Sequence, residues 1–227
     1  LNDKVVEHAY YKILNGFPVV FDLHQEVVFM MTQIGKLDAL YRQKMLNQLT
    51  EEFFLTKKEI EINGDKFWIL DFGFLILYLA LHFFHHNFRG IFQLEFLNKI
   101  IIRLKPPTLT WKNLTKKICY YQLQNFIFPV FVLLKKHYQT PLPPFFLKKI
   151  QPSSSCLRYL SPIINRPSLV FNDETRLTAG VNRFKNLFFL SPQPLGIRLL
   201  VFIKPAVIYS IIWFLQKKLF SFLSKKK

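Results

Sequence analysis

The segment Leu14-Asn15-Gly16-Phe17-Pro18-Val19-Val20-Phe21-Asp22-Leu23-His24 decides how the first part of the chain is read. Asn15-Gly16 sits between two apolar stretches, Val5 to Leu14 and Phe17 to His24. Asn-Gly is a strong two-residue hairpin signal, because both central positions of a type I′ turn need positive φ. A β-hairpin over residues 5 to 24 follows, with a helix over Asp3 to Leu14 as the competing reading. In the second strand Val20 and Asp22 share one face, and Val19, Phe21 and Leu23 the other. Asp22 is then a single carboxylate in an apolar strand. Such a group is costly unless paired, and a metal ion is one partner it takes. A backbone or basic partner at the strand end is the alternative.

Working outward, Leu37, Leu40, Met45 and Leu49 form a stripe that predicts a helix from Lys36 to Leu49. A second hairpin follows: Lys58 to Ile62, a turn at Asn63-Gly64-Asp65, and Lys66 to Leu70. Asp71 is placed to cap a long apolar helix reaching His86. An apolar stretch then runs to Pro106-Pro107. Thr110 to Phe128 and Phe131 to Tyr138 read as two further helices, closed by Pro141, Pro143 and Pro144. Between 152 and 195 the prolines and Ser153-Ser154-Ser155 predict weak order. Leu199 to Leu223 reads as a final apolar helix, kinked or started at Pro205.

The fold class expected is α+β: a small antiparallel β part, then a mainly α-helical lobe. The divisions are residues 1–70 (hairpin-rich), 71–150 (helical lobe) and 151–227 (loosely ordered linker and an apolar, basic C-terminal helix).

The chain carries 31 Lys and Arg against 14 Asp and Glu, a formal charge of +17. That balance attracts polyanions and anionic lipid headgroups and disfavours acidic partners' opposites, namely cationic ones. Solvated helix faces explain part of it, and Lys217, Lys218 and Lys225 to Lys227 form a basic tail. Phe is used 26 times and Gly only 7. The joint preference for Lys, Phe, Ile and Asn is that of an A/T-rich coding sequence, so aromatic content is not counted as a nucleic-acid signal. Cys119 and Cys156 lack metal-ligand spacing and make no disulfide framework, which points to a reducing compartment. Asp3, Lys4, Glu7, His8 and Lys12 leave no signal-peptide core near the start. A cytoplasmic location is expected, with the C-terminal segment available for peripheral contact with a membrane. Phe67 to Phe84 contains Asp71 and His82, and Leu199 to Leu215 contains Lys204 and Pro205, so neither reads as a membrane span.

Chemistry is suggested at two places. Asp22 suits the third acid of a two-metal phosphoryl-transfer site, where Mg²⁺ is held between oxygen ligands. His82 and His86, four apart on one helix, share a face and can bind zinc or make polar contacts. Phe83 stands where a zinc hydrolase motif needs Glu. No phosphate-binding glycine loop and no Gly-x-Ser-x-Gly occur.

The order of these features resembles a family. Val20-Phe21-Asp22-Leu23-His24, then Leu79-Ala80-Leu81-His82 with His86, then Leu94 to Ile101, then Thr110-Trp111-Lys112 look like a bacterial nucleotidyltransferase-like family of the polymerase β superfamily. The match covers roughly residues 5 to 150. The resemblance implies Mg²⁺-dependent transfer of a nucleotide from an NTP to an acceptor, with Asp22 as the third metal carboxylate and catalytic acid, and His24 as a neighbour. The family's Gly-Ser turn and Asp-x-Asp pair occur nowhere in this chain. The start at Leu1 leads us to expect that an N-terminal part is missing; a degenerate relative is the other explanation. An incomplete, inactive transferase is therefore the first expectation. A non-catalytic basic module for RNA or an anionic membrane surface is the second.

Overall fold

The computed structural model describes residues 7–14, 17–24, 35–169 and 175–224. Two antiparallel hairpins precede or interrupt a helical body. Strands β1 (Glu7–Leu14) and β2 (Phe17–His24) pair in the register Glu7 with His24, Ala9 with Asp22 and Leu14 with Phe17. Residues 7–14 are a strand and not the competing helix. The Asn15-Gly16 turn itself lies outside the described residues.

Helix α1 spans Gln43–Leu55. It begins later than the stripe from Lys36 predicts, at the point where the Asp38 carboxylate accepts the Gln43 N–H at 2.9 Å. Residues 38–40 form a turn, yet Leu37, Leu40 and Tyr41 still enter the core. The second hairpin is β3 (Lys58–Ile62) with β4 (Asp65–Ile69). Asn63 and Gly64 have φ of 55° and 87°, the pair of positive values a type I′ turn requires.

The helical body is built round α2 (Phe72–His85). Asp71 caps it, its carboxylate accepting the Gly73 N–H at 3.0 Å. Phe74, Ile76, Leu77, Ala80, Leu81, Phe83 and Phe84 are all buried. Helix α2 packs against α3 (Ile91–Leu104), α4 (Thr108–Tyr120) and α5 (Gln124–Tyr138). Trp111 of α4 meets Phe131 of α5 and Phe146 of α6 (Pro144–Lys149) edge-on, with ring centroids 6.0 and 4.7 Å away. Edge-to-face pairs of this kind add to plain area burial.

The boundary between α4 and α5 differs from expectation. The chain breaks at residues 121–123, with Gln122 left-handed at φ 53°, and the helix then runs through Pro129. The turn is closed by the Leu123 N–H donating to the Ile118 carbonyl at 2.8 Å, a helix-ending pattern that needs no glycine when its flanks are packed. Leu123 and Tyr121 are both buried.

The stretch between 152 and 195 is a second correction. It holds α7 (Ser154–Ile164) and α8 (Arg176–Leu190), not weakly ordered linker. Cys156 and Leu160 from α7, and Leu187 and Leu190 from α8, are buried. The Ser191 hydroxyl donates to the Leu40 carbonyl at 2.6 Å, tying this stretch to the first core residues. Prolines mislead here because a helix can begin at one or carry one: Pro144 opens α6 and Pro162 lies inside α7.

The chain ends with α9 (Leu195–Leu199), a 3₁₀ turn over Leu200–Ile203, and α10 (Pro205–Ser224). Helix α10 starts at Pro205, one of the two readings made of that proline. The α9 segment and α10 are bent by 70°.

A polar network ties α1 to α4. The Glu52 carboxylate accepts from the Lys117 ammonium and from the Tyr121 hydroxyl, the latter at 2.7 Å. The Tyr41 hydroxyl donates to the Tyr121 carbonyl at 2.7 Å. Burial raises the Glu52 pKa, but the two hydrogen bonds and the Lys117 charge outweigh it and hold the group below its ordinary 4.5. A carboxylate with a depressed folded pKa contributes stability that is present above the unfolded value and is lost as pH falls through the folded one. Glu52→Gln should therefore lower the urea midpoint at pH 7, and its deficit against the parent should narrow as pH drops below about 4. A deficit that stays constant across that range would refute the assignment.

Candidate functional site

Asp22 and His24 occupy β2 opposite Ala9 and Glu7. The placement of their side chains lies outside the described residues. The histidines of α2 are described. His82 and His86 bring their Nε2 atoms to 3.2 Å, and His85 stacks on His82 at 6.2 Å between ring centroids. Tyr78, one turn earlier, stacks on the other side of His82 at 6.0 Å. The i, i+4 spacing that puts His82 and His86 on one face is what lets the rings meet. Among the described residues no group of three or more His, Cys, Asp or Glu is arranged to hold a metal ion. The two rings touch at the C-terminal end of a core helix.

Sequence reasoning missed a cleft immediately beyond these histidines. It lies among the α2–α3 turn, α7 and α8, with a volume of about 590 Å³. Its cations are Arg89, Arg158, Arg166 and Lys185, and Asn87, Asn182, Asn186 and Tyr159 add uncharged polar groups. No Asp or Glu is among the described residues that line it.

Each part of the lining has a local cause. Asn87 and Phe88 both adopt φ of 57°, ending α2 and reversing the chain so that Arg89 follows at the cleft. Phe88 is fully buried against Phe83 and Phe84, which anchors the reversal. On the other side the Arg166 guanidinium donates to the Phe88 carbonyl. The Lys136 ammonium donates to the Ile164 and Arg166 carbonyls, at 3.3 and 3.0 Å, as a cation beyond the C-terminus of α7. The cleft floor is a relay: the Tyr159 hydroxyl donates to Asn186 Oδ1 at 2.8 Å, Asn186 Nδ2 to Asn87 Oδ1 at 3.2 Å, and Asn87 Nδ2 to the Ala179 carbonyl at 3.0 Å.

Electrostatics here are those of crowded positive charge. Burial, and then the neighbouring Arg89, push the Arg166 guanidinium down to about 10. Burial, then Lys136 and Arg166, lower His137 as well. Both shifts share a cause: cations close together in a partly desolvated place. Among the described residues that line the cleft, every charged group is a cation. Arg89 lies well upstream of Arg158, Arg166 and Lys185, and those three follow no fixed spacing, so no local motif announces them.

In comparisons with protein-family models, curated proteins and solved structures, nothing matches the chain.

The relay gives a stability prediction that leaves the cations alone. Tyr159→Phe removes one buried hydrogen bond and should cost about 1 kcal/mol in urea denaturation. No loss would mean that the Tyr159–Asn186 bond does not form in solution.

Proposed function

We propose that this chain is nucleotidyltransferase-like, and that the residues it carries bind rather than catalyse. What supports the reading is one agreement. The elements occur in the order the resemblance implies: a hairpin with Asp22 on its second strand, another hairpin, the His82/His86 helix, and the helix that carries Trp111. The transfer reaction of such proteins joins a nucleotide from an NTP to an acceptor, and magnesium supplies charge neutralisation at the phosphates. The residues present do not make up that magnesium site. Asp22 is one carboxylate, the sequence has no Asp-x-Asp, and no metal-holding group exists among the described residues. No catalytic step is therefore assigned to the chain. The direct test is the reading frame upstream of Leu1, followed by an assay. If that frame encodes a Gly-Ser turn and an Asp-x-Asp pair, the longer protein should transfer labelled nucleotide with Mg²⁺. Asp22→Asn should then lower that rate by about two orders of magnitude or more. A frame without those residues, or a rate that Asp22→Asn leaves unchanged, would end the catalytic reading.

A second reading, contact with an anionic membrane surface, is favoured by the C-terminal segment. Ile203, Tyr209, Ile212, Trp213 and Leu215 are exposed, while Val201 and Val207 are buried and Phe202 packs against Phe184 and Phe188. No single described helix is long and apolar enough to cross a membrane; only the bent pair Leu195–Ile203 and Pro205–Gln216 passes that test together. Exposed apolar residues followed in sequence by Lys217, Lys218 and Lys225 to Lys227 suit a surface of lipid headgroups better than a bilayer interior. The chain should float with phosphatidylserine vesicles and remain unbound with phosphatidylcholine alone. Ile212→Glu/Leu215→Glu, placed on exposed positions, should abolish flotation. Equal flotation of parent and variant would sink the reading.

A further inference from the structure

We propose that the cleft among the α2–α3 turn, α7 and α8 is a binding site for a ligand bearing multiply charged phosphate. Four cationic side chains, from the α2–α3 turn, α7, the segment just after α7, and α8, converge on one concavity, and a site assembled from residues 89, 158, 166 and 185 is not a solvated helix face. Arg89 and Arg166 are half-buried at its inner side; Arg158 and Lys185 are exposed at its rim. Guanidinium groups present planar pairs of N–H donors that match phosphate oxygens, and partial burial strengthens such contacts. The uncharged part of the lining adds to this. Asn182 and the Tyr159–Asn186–Asn87 relay supply hydrogen-bonding groups that carry no negative charge to repel an anion.

The size of the cleft narrows the class. At about 590 Å³ it is larger than a single phosphate needs and lies within the range of small-molecule sites. Diphosphates, nucleotides and phosphorylated headgroups all present the required chemistry. The site is independent of the transferase reading: phosphate binding without any nucleotide transfer leaves it standing, and transfer without binding at this cleft removes it.

The experiment is calorimetric titration of the full chain with three soluble probes, namely inorganic pyrophosphate, ATP and inositol trisphosphate. Saturable binding of at least one is expected, and it should weaken as ionic strength rises. Pyrophosphate binding as tight as ATP would assign recognition to the phosphates alone. Tighter ATP binding would point to a nucleotide, and tighter inositol trisphosphate binding to a lipid headgroup. Arg158→Gln/Lys185→Gln should weaken the bound probe roughly tenfold or more. These rim positions are exposed, so an unchanged melting midpoint will show that the fold is intact. Arg166 is left in place because its guanidinium also holds the Phe88 carbonyl. The proposal is overturned if none of the three probes saturates, or if the folded double variant binds as tightly as the parent.

Discussion

Helix α2 must be surrounded, and the rest of the body follows from that constraint. Its sequence, Phe72 to His85, is apolar on every side until the histidines begin. A helix of that kind has no face to give to water, so it takes neighbours all round. Helices α3, α4 and α5 are those neighbours, and they supply Leu94, Leu97, Ile101, Trp111, Leu114, Phe126 and Phe131. Burying one large apolar side chain is worth about 1.5–3 kcal/mol. The seven buried on α2 therefore dominate any single polar contact in the molecule. Polarity returns only at its last turn, where His82, His85 and His86 lead into Asn87 and Arg89. Polar groups gather at the end of the helix because its middle is committed to the core.

Around this apolar centre the buried polar groups are joined in small, specific networks. Glu52, Lys117, Tyr121 and Tyr41 connect α1 and its approach to α4. The Thr140 hydroxyl donates to Asn98 Oδ1 at 2.7 Å, holding the end of α5 to α3. Asn125 Nδ2 donates to the Leu190 carbonyl at 2.8 Å, holding α5 to the end of α8. Apolar packing tolerates sliding, whereas a buried donor has few alternative acceptors. These bonds set the register between helices whose apolar surfaces alone would leave it loose.

Much of this fold could be read from local chemistry. Asn-Gly at 15–16 and 63–64 marked both hairpins, and Asp71 marked the start of α2. The misreadings have definite causes. The break after α4 falls at Tyr121-Gln122-Leu123, which contains neither glycine nor proline; tertiary burial of Tyr121 and Leu123 enforces it. Pro129 falls in the gap between the two helices read over Thr110 to Phe128 and Phe131 to Tyr138, and it is carried inside α5. Residues 152–195 looked like linker because several of their prolines and serines sit at helix starts. The cleft was illegible for a different reason. Its cations come from positions 89, 158, 166 and 185, and only the packing of α7 and α8 beside the α2–α3 turn brings them together. Asp22 is legible in the sequence as a candidate ligand, and its side chain lies outside the described residues.

The turn that delivers Arg89 also constrains what can follow it. Gly90 has φ of 119°, a backbone state in which side chains are rarely found, and a Cβ there would press on the Gln93 amide. Replacing this glycine would shift the peptide that carries the neighbouring guanidinium, although every cation would still be encoded. An uncharged position thus governs where the neighbouring cation sits.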